Sequence, residues 1–370
     1  MTGYAFQWSN LRITKVYQHS VYFMSKKILA FRFSAMGDVA MTVPVLKEVL
    51  KQNPDTEIVM VSRPFLKPFF ENIPRLTFFG ADLNGEHNGF KGLRKLYKSL
   101  QAQGPFLAVA DIHSVLRTFI LDAFFQTSGT KVVRIDKGRK GKKQLTRPKD
   151  KVMQPLRPMP ERYADVFRKI GLTVELPHQL SPKVSDALNQ AELELLGGKN
   201  NSWIGIAPFA QHKGKAWGEV KAVALAKLLQ EKENAKVIFF GGPGEESKLL
   251  DKCVEQVPGS INLAGKIKLK EELDIIEHLD VMVSMDSANM HMASLRGTPT
   301  VSVWGATHHY AGFIGYGQDK ANIVELSTQE LPCRPCSVFG NKPCLREDYA
   351  CLEGVTPEMV YQRVATVLNK

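Results

Sequence analysis

Residues 26–52 read KKILAFRFSAMGDVAMTVPVLKEVLKQ, and this stretch decides the fold. The apolar run KKILAFRF has the length of a buried strand and stops at SAMGD, whereas the residues that follow carry apolar side chains at helical spacing. The stretch is therefore predicted to form a strand, a tight turn and a helix. Such units, repeated along a chain, produce a mostly parallel sheet with helices on its faces.

The same alternation continues on both sides of a polar, proline-containing passage at residues 176–201. A chain of 370 residues exceeds the size at which a single core usually divides. We therefore predict two α/β domains, residues 24–178 and 179–370, the second of which ends in a helix after Pro357. The strand segments are EIVMVSR (57–63), FLAVADIH (106–113), WIGIAPFA (203–210), KVIFFGG (236–242), VMVSMDS (281–287) and TVSVWGAT (300–307).

The composition is that of an ordinary soluble protein, with 44% hydrophobic and 23% charged residues. No stretch approaches the roughly 20 apolar residues that cross a bilayer, and the N-terminus lacks the apolar core of a signal peptide. We therefore expect a cytoplasmic protein. Met24 opens the segment MSKK just before the first strand. Residues 1–23 are therefore interpreted either as the result of a translation start assigned too far upstream or as a disordered tail.

The net charge of +12 predicts an anionic partner: nucleic acid, a phosphorylated metabolite or an acidic lipid surface. Residues 134–151 concentrate cations that only Asp136 and Asp150 oppose. Two interpretations are open for this segment, a solvated mobile loop and a loop that meets phosphate or carboxylate groups of an acceptor. Its cations are Arg134, Lys137, Arg139, Lys140, Lys142, Lys143, Arg147, Lys149 and Lys151.

Four of the five cysteines, Cys333, Cys336, Cys344 and Cys351, form the pattern C-x2-C-x7-C-x6-C near the C-terminus. The first pair has the spacing of a metal knuckle, while the second pair is looser than in a zinc ribbon. The cluster is therefore either a structural zinc site or a set of reduced thiols that pack a loop. Cys253 stands alone and is expected to be buried and inert.

Ligands of open α/β sheets bind at the carboxyl ends of the strands, so polar residues in the turns after strands are the candidate functional residues. In FRFSAMGD, Gly37 and Asp38 stand where the first helix begins. Asp38 is either a helix cap or a carboxylate that faces the cleft between the domains. In the second case it takes a proton from an acceptor hydroxyl.

Two turns of the second domain carry groups that suit a nucleotide. In APFAQHKGKAW the cations and donors suit phosphate oxygens, although a solvated basic loop has the same composition. In FFGGPGEES the glycines permit close backbone approach, and Glu245 or Glu246 is placed to bind a ribose, although GGPG also forms a plain turn. The polar residues of the first turn are Gln211, His212, Lys213 and Lys215.

The segment VMVSMDSANMHMA places Asp286 and Ser287 where a helix begins, and the first turn of that helix also carries Asn289 and His291. Free N–H groups and the positive end of the helix dipole make such a position an anion site. The alternative interpretation is a capped helix with a packed histidine.

The chain also lacks several nucleotide-binding motifs. The turn after the first strand has a single glycine, so the G-x-G-x-x-G dinucleotide fingerprint is absent there, and no P-loop is present. The Asp-x-Asp pair with which many sugar-nucleotide enzymes hold a divalent metal is absent as well. Cationic side chains and a helix end are therefore expected to neutralise any diphosphate.

Taken together, four segments resemble the heptosyltransferase family of inverting glycosyltransferases, also called glycosyltransferase family 9. The resemblance covers residues 26 to about 367 and rests on the order of its motifs. It implies the GT-B fold, in which two Rossmann-like domains face a cleft, and transfer of a heptose from ADP-heptose to the lipopolysaccharide inner core. The motifs are KILAFRFSAMGDVAMTVPVLKEV, APFAQHKGKAW, SMDSANMHMASLRGTPTVSVWGAT and the tail PCRPC, PCL, ACL and TPEMV.

The resemblance also assigns roles to individual residues. Asp38 is implied to be the general base, and Lys215 matches the pyrophosphate-contacting lysine. The sequence departs from the family at Ala288, where glycine is frequent, and at Gln211 and His212, where small hydroxyl or arginine side chains are frequent. The implied donor-binding residues are Gln211, Lys215, Glu245, Asp286, Ser287 and His291, and the acceptor-binding residues are Lys91, Arg94, Arg117, Arg139, Lys140, Lys142 and Lys143.

An anionic lipid-linked saccharide is the implied acceptor. We therefore expect peripheral contact with the inner face of the inner membrane, no nucleic-acid partner, no catalytic metal and no required cofactor. Two alternatives remain, a sugar-nucleotide epimerase and a non-enzymatic basic binding protein. An epimerase converts the donor without an acceptor, and a binding protein tolerates changes at Asp38.

Overall fold

The computed structural model describes residues 26–183 and 187–369. The expectation for residues 1–23 lies outside this part of the chain. Within the described residues, no helix is long and apolar enough to span a bilayer.

The first domain contains a five-stranded parallel sheet with the order β3-β2-β1-β4-β5. Its central strand is buried on both faces, as expected for a parallel sheet covered by helices. The strands are β1 (Lys26–Phe31), β2 (Thr56–Ser62), β3 (Leu76–Gly80), β4 (Ala108–Asp111) and β5 (Lys131–Arg134). The helices are α1 (Met36–Ala40), α2 (Thr42–Gln52), α3 (Gly89–Gln101), α4 (Leu116–Thr127), α5 (Arg139–Leu145) and α6 (Met159–Ile170).

The second domain contains a six-stranded parallel sheet with the order β11-β10-β9-β6-β7-β8. The strands are β6 (Trp203–Ala207), β7 (Lys236–Phe239), β8 (Ile261–Asn262), β9 (Val281–Met285), β10 (Thr300–Val303) and β11 (Ile323–Val324). The helices are α7 (Gln190–Leu196), α8 (Glu219–Glu233), α9 (Glu245–Gln256), α10 (Leu269–His278), α11 (Ala288–Leu295), α12 (Ala350–Glu353) and α13 (Pro357–Leu368).

Two parallel sheets flanked by helices confirm the predicted α/β fold class with two Rossmann-like domains. One sheet lies on each side of the predicted boundary between residues 178 and 179, and the boundary itself remains a prediction. The sequence analysis did not identify the short edge strands β3, β5, β8 and β11, and the helices that it missed include α3 and α5. These elements lie at sheet edges or in polar segments, where the hydrophobic pattern is weak.

The order of the strands in each sheet indicates where a ligand binds. In the first sheet the order reverses between β1 and β4, and in the second sheet it reverses between β6 and β9. Open α/β sheets bind ligands at such switch points, outside the carboxyl ends of the strands. The turns after β1, β6 and β9 contain Asp38, Lys215 and Asp286. Three of the four turns that the sequence analysis identified as candidate sites therefore lie at the switch points of the two sheets.

The two domains are held close together at this position because α1 packs against α11. Gly37 makes this approach possible. A Cβ atom on Gly37 would lie 2.7 Å from Cδ2 of His291 and 3.2 Å from Cα of Ala288, which is closer than real Cβ contacts. The start of the first-domain helix therefore lies directly against the start of a second-domain helix.

Candidate active site

A cleft of about 820 Å³ lies between the carboxyl edges of the two sheets. Residues 35–38 and Met41 form its first-domain wall. The second-domain wall comes from the turns after β6, β7 and β9, from the start of α10 and from residues 338–341. This volume is in the range of cavities that bind small-molecule ligands.

Asp38 lies in the first turn of α1, and its side chain is 26% exposed toward the cleft. Its Oδ2 atom lies 2.6 Å from Nη2 of Arg32, and the hydroxyl of Tyr163 donates a hydrogen bond to Oδ1 at 3.4 Å. The Arg32 guanidinium is anchored in turn, because Nη1 donates to the carbonyl of Ile112 at 2.9 Å. The carboxylate is therefore held in one orientation.

The same contacts set the charge of Asp38. Removal from water acts to raise the pKa of its carboxyl, but the positive charge of Arg32, together with His291 and hydrogen bonds, more than offsets this. The pKa of Asp38 is held below its ordinary value. Asp38 is therefore ionised at neutral pH, as a general base must be.

Lys215 ends the short 3₁₀ segment Lys213–Lys215, which follows β6. Its Nζ atom lies 3.2 Å from Oδ2 of Asp286, which follows β9. Both side chains line the cleft, together with Gln211 and His212. Lys213 points elsewhere, with Nζ 4.8 Å from the ring centroid of Tyr349. The predicted basic turn therefore contributes one of its two lysines to the cleft.

Ser287 occupies the N-cap position of α11, but its side chain makes no capping hydrogen bond to that helix. Its Oγ atom lies 3.1 Å from Oγ of Ser284 instead. The side chain of Ser287 therefore leaves the first-turn N–H groups of α11 available to a ligand. This observation favours the anion-site interpretation over the capped-helix interpretation.

His291 lies one turn further along α11, 6% exposed, and lines the cleft. Its Nδ1 atom is buried and has no hydrogen-bond partner among the described residues. Burial lowers the pKa of His291 to about 4, with Lys215 acting in the same direction and Asp286 and Asp38 opposing it. His291 is therefore neutral at neutral pH, and it lies between Asp38 and the ion pair of Lys215 and Asp286.

The structure corrects the assignment of Glu245. This residue is on the surface, with its side chain 81% exposed and Oε1 2.7 Å from Nζ of Lys248. Glu246 lines the cleft instead, and its Oε2 atom accepts a hydrogen bond from the N–H of Gly242 at 2.6 Å. Both residues open α9, where consecutive side chains point about 100° apart, so only one of them faces the cleft.

None of the seven predicted acceptor-binding residues is among the residues that line the cleft. Lys91 and Arg94 are exposed on α3, and Arg117 is exposed at the start of α4. The four others lie on α5, so residues 139–145 of the predicted basic loop form a helix, while the residues on either side of it have no regular secondary structure. These four are Arg139, Lys140, Lys142 and Lys143.

Lys142 differs from its neighbours because it is 7% exposed. Its Nζ atom lies 4.3 Å from the ring centroid of Phe313 and donates to the thioether sulfur of Met159 at 3.4 Å. Burial lowers the pKa of Lys142 to about 8, and the nearby charge of Arg162 adds to this effect. A predominantly charged lysine is thus held next to the cleft without a carboxylate partner among the described residues.

The four C-terminal cysteines are reduced and line one small cavity of about 20 Å³. Among the described residues, the metal-ligating side chains that converge within 4.8 Å of one another are His308, His309 and Glu325, so the cysteine sulfurs do not reach that spacing. The structural zinc at Cys333, Cys336, Cys344 and Cys351 and the alternative of reduced thiols that pack a loop both remain predictions.

The histidine group also has a structural explanation. Nδ1 of His308 accepts a hydrogen bond from the N–H of Tyr310, which places the proton of the neutral ring on Nε2, facing Glu325 at 3.4 Å. Glu325 also pairs with the buried Arg334 at 2.8 Å. His308 and Glu325 therefore have protein partners, whereas the buried Nδ1 atom of His309 lies 3.4 Å from Glu325 and has no hydrogen-bond partner among the described residues.

Three cleft residues were missed by the sequence analysis. Glu272, near the start of α10, lines the cleft, and its polar partner is the amide of Asn289 at 3.5 Å. Burial raises the pKa of Glu272 to about 7. Phe313 and Phe339 line the same cleft from loops. Nothing in the local sequence distinguishes Phe313 and Phe339, because loop positions carry no hydrophobic period. Glu272 is one of several charged residues on α10, and the sequence does not show which of them faces the cleft.

A carboxylate on one wall and a cation with a helix start on the other wall, between two Rossmann-like domains, are features expected of a GT-B glycosyltransferase. Residues 106–340 match glycosyltransferase family 9 (heptosyltransferase). The chain belongs to this family. Family membership favours the transferase over the epimerase and the non-enzymatic binding protein.

Individual relatives agree with this assignment. The chain is 24% identical to the lipopolysaccharide core heptosyltransferase OpsX of Haemophilus influenzae over 287 residues, which cover 75% of this chain and 79% of that protein. A family 9 glycosyltransferase from Veillonella parvula has a TM-score of 0.71 at 20% identity, covering 93% and 98% of the two chains. The ADP-heptose heptosyltransferase II of Escherichia coli has a TM-score of 0.65 at 18% identity, with the same coverage.

Proposed function

We propose that the protein transfers a heptose from ADP-heptose to a hydroxyl of the lipopolysaccharide inner core, with inversion at the anomeric carbon. The observation that carries this proposal is the placement of Asp38 across one cleft from Lys215 and the start of α11. A base and a diphosphate site on opposite walls leave room for a sugar between them. The names of the relatives supply the choice of heptose and of the acceptor.

The reaction then follows from the geometry. Asp38 removes the proton of the acceptor hydroxyl, and the oxygen forms a bond to the anomeric carbon as the bond from that carbon to the diphosphate breaks. Negative charge grows on the leaving ADP, where Lys215 and the N–H groups of α11 stabilise it more than in the ground state. Attack from the face opposite the diphosphate inverts the configuration.

Asp286 has a role in this scheme before the donor binds. It holds the cation of Lys215 at 3.2 Å, so the lysine is already oriented when the diphosphate arrives. We propose that Lys215 and α11 supply the positive charge for which other sugar-nucleotide enzymes use a metal. Transfer at an unchanged rate after treatment with EDTA is the expected result, and loss of activity that a divalent metal restores would contradict it.

The acceptor is proposed to be anionic and lipid-linked, and the enzyme to act in the cytoplasm at the inner face of the inner membrane. The exposed cations of α3 and α5 and the net charge of +12 support this. Binding to vesicles that contain anionic lipid should weaken as salt is added. Equal affinity for neutral and anionic vesicles would contradict the proposal.

Calorimetry tests the donor site directly. ADP-heptose should bind more tightly than UDP-sugars, and Lys215→Ala should raise its Kd about 10- to 100-fold, the usual value of a hydrogen bond to a charged group. Lys213→Ala is the matched control, because this lysine lies in the same turn and packs on Tyr349. Failure of the wild type to bind any nucleotide sugar would exclude the transferase.

A further inference from the structure

Phe339 is an exposed aromatic side chain inside a cleft. It is 52% exposed although it lines the cleft wall. Its ring centroid lies 5.8 Å from that of Phe313, which also lines the cleft, and the two rings are inclined at 59°. An uncovered aromatic surface in a pocket marks a position where a ligand buries apolar surface.

The loop that carries Phe339 is fixed to the donor side of the cleft. The N–H groups of Cys336 and Ser337 both donate to the carbonyl of Ala306, at 3.1 and 3.2 Å. Gly340 has a φ of +73°, and a Cβ atom there would lie 2.4 Å from Cγ of Lys215. The backbone next to Phe339 thus lies directly on the stem of the phosphate-binding lysine, and the aromatic ring has a defined position relative to it.

The opposite side of this aromatic pair belongs to the first domain. Nζ of Lys142 lies 4.3 Å from the ring centroid of Phe313, and this buried ammonium has no carboxylate partner among the described residues. The charge of Asp38 acts on Lys142, so the lysine and the base lie in the same neighbourhood. An apolar ring surface and a cation are therefore found side by side on the acceptor side of the cleft.

We propose that the exposed ring of Phe339, packed against the buried ring of Phe313, forms a platform for a sugar ring of the acceptor, and that the positive charge of Lys142 next to Phe313 favours an anionic substituent on that sugar. The proposal rests on the proposed function for the location of the acceptor. The polarised C–H bonds on the face of a pyranose are attracted to the negative face of an aromatic ring, and the positive charge of the buried Lys142 attracts a carboxylate or phosphate on the sugar. The class of ligand is an acidic saccharide.

The test separates acceptor binding from catalysis. O-deacylated lipopolysaccharide from a heptose-deficient strain is titrated into the enzyme with ADP present, and its Kd is measured by calorimetry. Phe339→Ala should raise this Kd about tenfold, which corresponds to one aromatic contact, and Phe339→Trp should preserve it. Leu345→Ala is the control, because this residue is 76% exposed on the same loop but does not line the cleft.

The Kd for ADP-heptose is measured for the same variants and should stay unchanged. An unchanged acceptor Kd in Phe339→Ala would overturn the platform, and so would an equal loss of affinity for ADP-heptose, since the rings would then serve the donor. Failure of the wild type to bind the saccharide would overturn it as well. Saccharide binding without turnover would contradict the proposed function and leave the platform in place.

Discussion

Asp38 and Asp286 occupy corresponding places in the two domains but have different surroundings. Each follows a central strand, lies at the start of a helix and pairs with a cation from the same domain. The partner of Asp38 is Arg32, which is buried and anchored to the main chain. The partner of Asp286 is Lys215, whose side chain lies in the wall of the cleft.

Under the proposed function, this difference separates a base from a ligand site. Arg32 has its own backbone partner in the core, so it holds Asp38 ionised while leaving the carboxylate open to the acceptor. Lys215 has a single carboxylate partner and faces the space that the diphosphate enters, so its charge is available to the donor. The same local motif therefore serves two chemical roles, and the cation decides which role it has.

The largest effect is expected for Asp38→Asn. Loss of the base should lower kcat by about 10²–10⁴-fold, the usual contribution of a general base, while the Kd for ADP-heptose stays unchanged. Asp286→Asn is the matched variant and should change the Kd for ADP-heptose more than it changes kcat. Steady-state kinetics and calorimetry on both variants check this. If kcat and the Kd for ADP-heptose change in the same way in the two variants, the distinction between Asp38 and Asp286 is contradicted.

A smaller effect is expected for Arg32→Gln. Without the guanidinium, burial raises the pKa of Asp38, so the acid limb of the pH profile of kcat/KM should move to higher pH. Arg32→Lys keeps the charge and should retain more of the wild-type profile. Because a purely structural role of Arg32 would lower the rate at every pH, an acid limb that does not move would contradict this prediction.

The smallest effect concerns His291, which lies between the two carboxylates. Its folded-state pKa of about 4 lies below the ordinary value of 6.5, so the stability linked to its neutral form is present above pH 6.5 and is lost as the pH falls toward 4. Over this range the loss is on the order of 3 kcal/mol.

His291→Gln should therefore lose less free energy of unfolding between pH 7 and pH 4 than the wild type. Urea denaturation without ligand measures this difference. His178→Gln is the control, at a histidine that is half exposed and outside the cleft lining. Equal acid sensitivity of wild type and His291→Gln would show that the histidine is not held neutral.

Much of the site could be predicted because strand, turn and helix are encoded locally. The apolar run before Asp38 and the helical spacing after it are visible in one stretch, and the same is true around Lys215 and Asp286. Glu245 could not be separated from Glu246 by this reasoning. Adjacent helix positions face different directions, and the direction depends on how α9 docks onto its sheet.

The residues that the sequence analysis missed depend on contacts between distant segments. Arg32 is one residue of an apolar strand run, and its significance comes from its distance to Asp38. Phe313 and Phe339 are 26 positions apart in loops, yet their rings form one surface in the cleft. No periodicity connects such residues.

The amino-acid sequence by itself determined the α/β class, the strand-turn-helix units and the turns that carry Asp38, Lys215 and Asp286, because hydrophobic period and turn chemistry are local. Only the tertiary structure decided which of these groups meet. The packing of α1 on α11 through Gly37 and the burial of Lys142 against Phe313 both arise from elements that are far apart in the chain. Their positions depend on how the two sheets are placed against each other, which no short segment encodes.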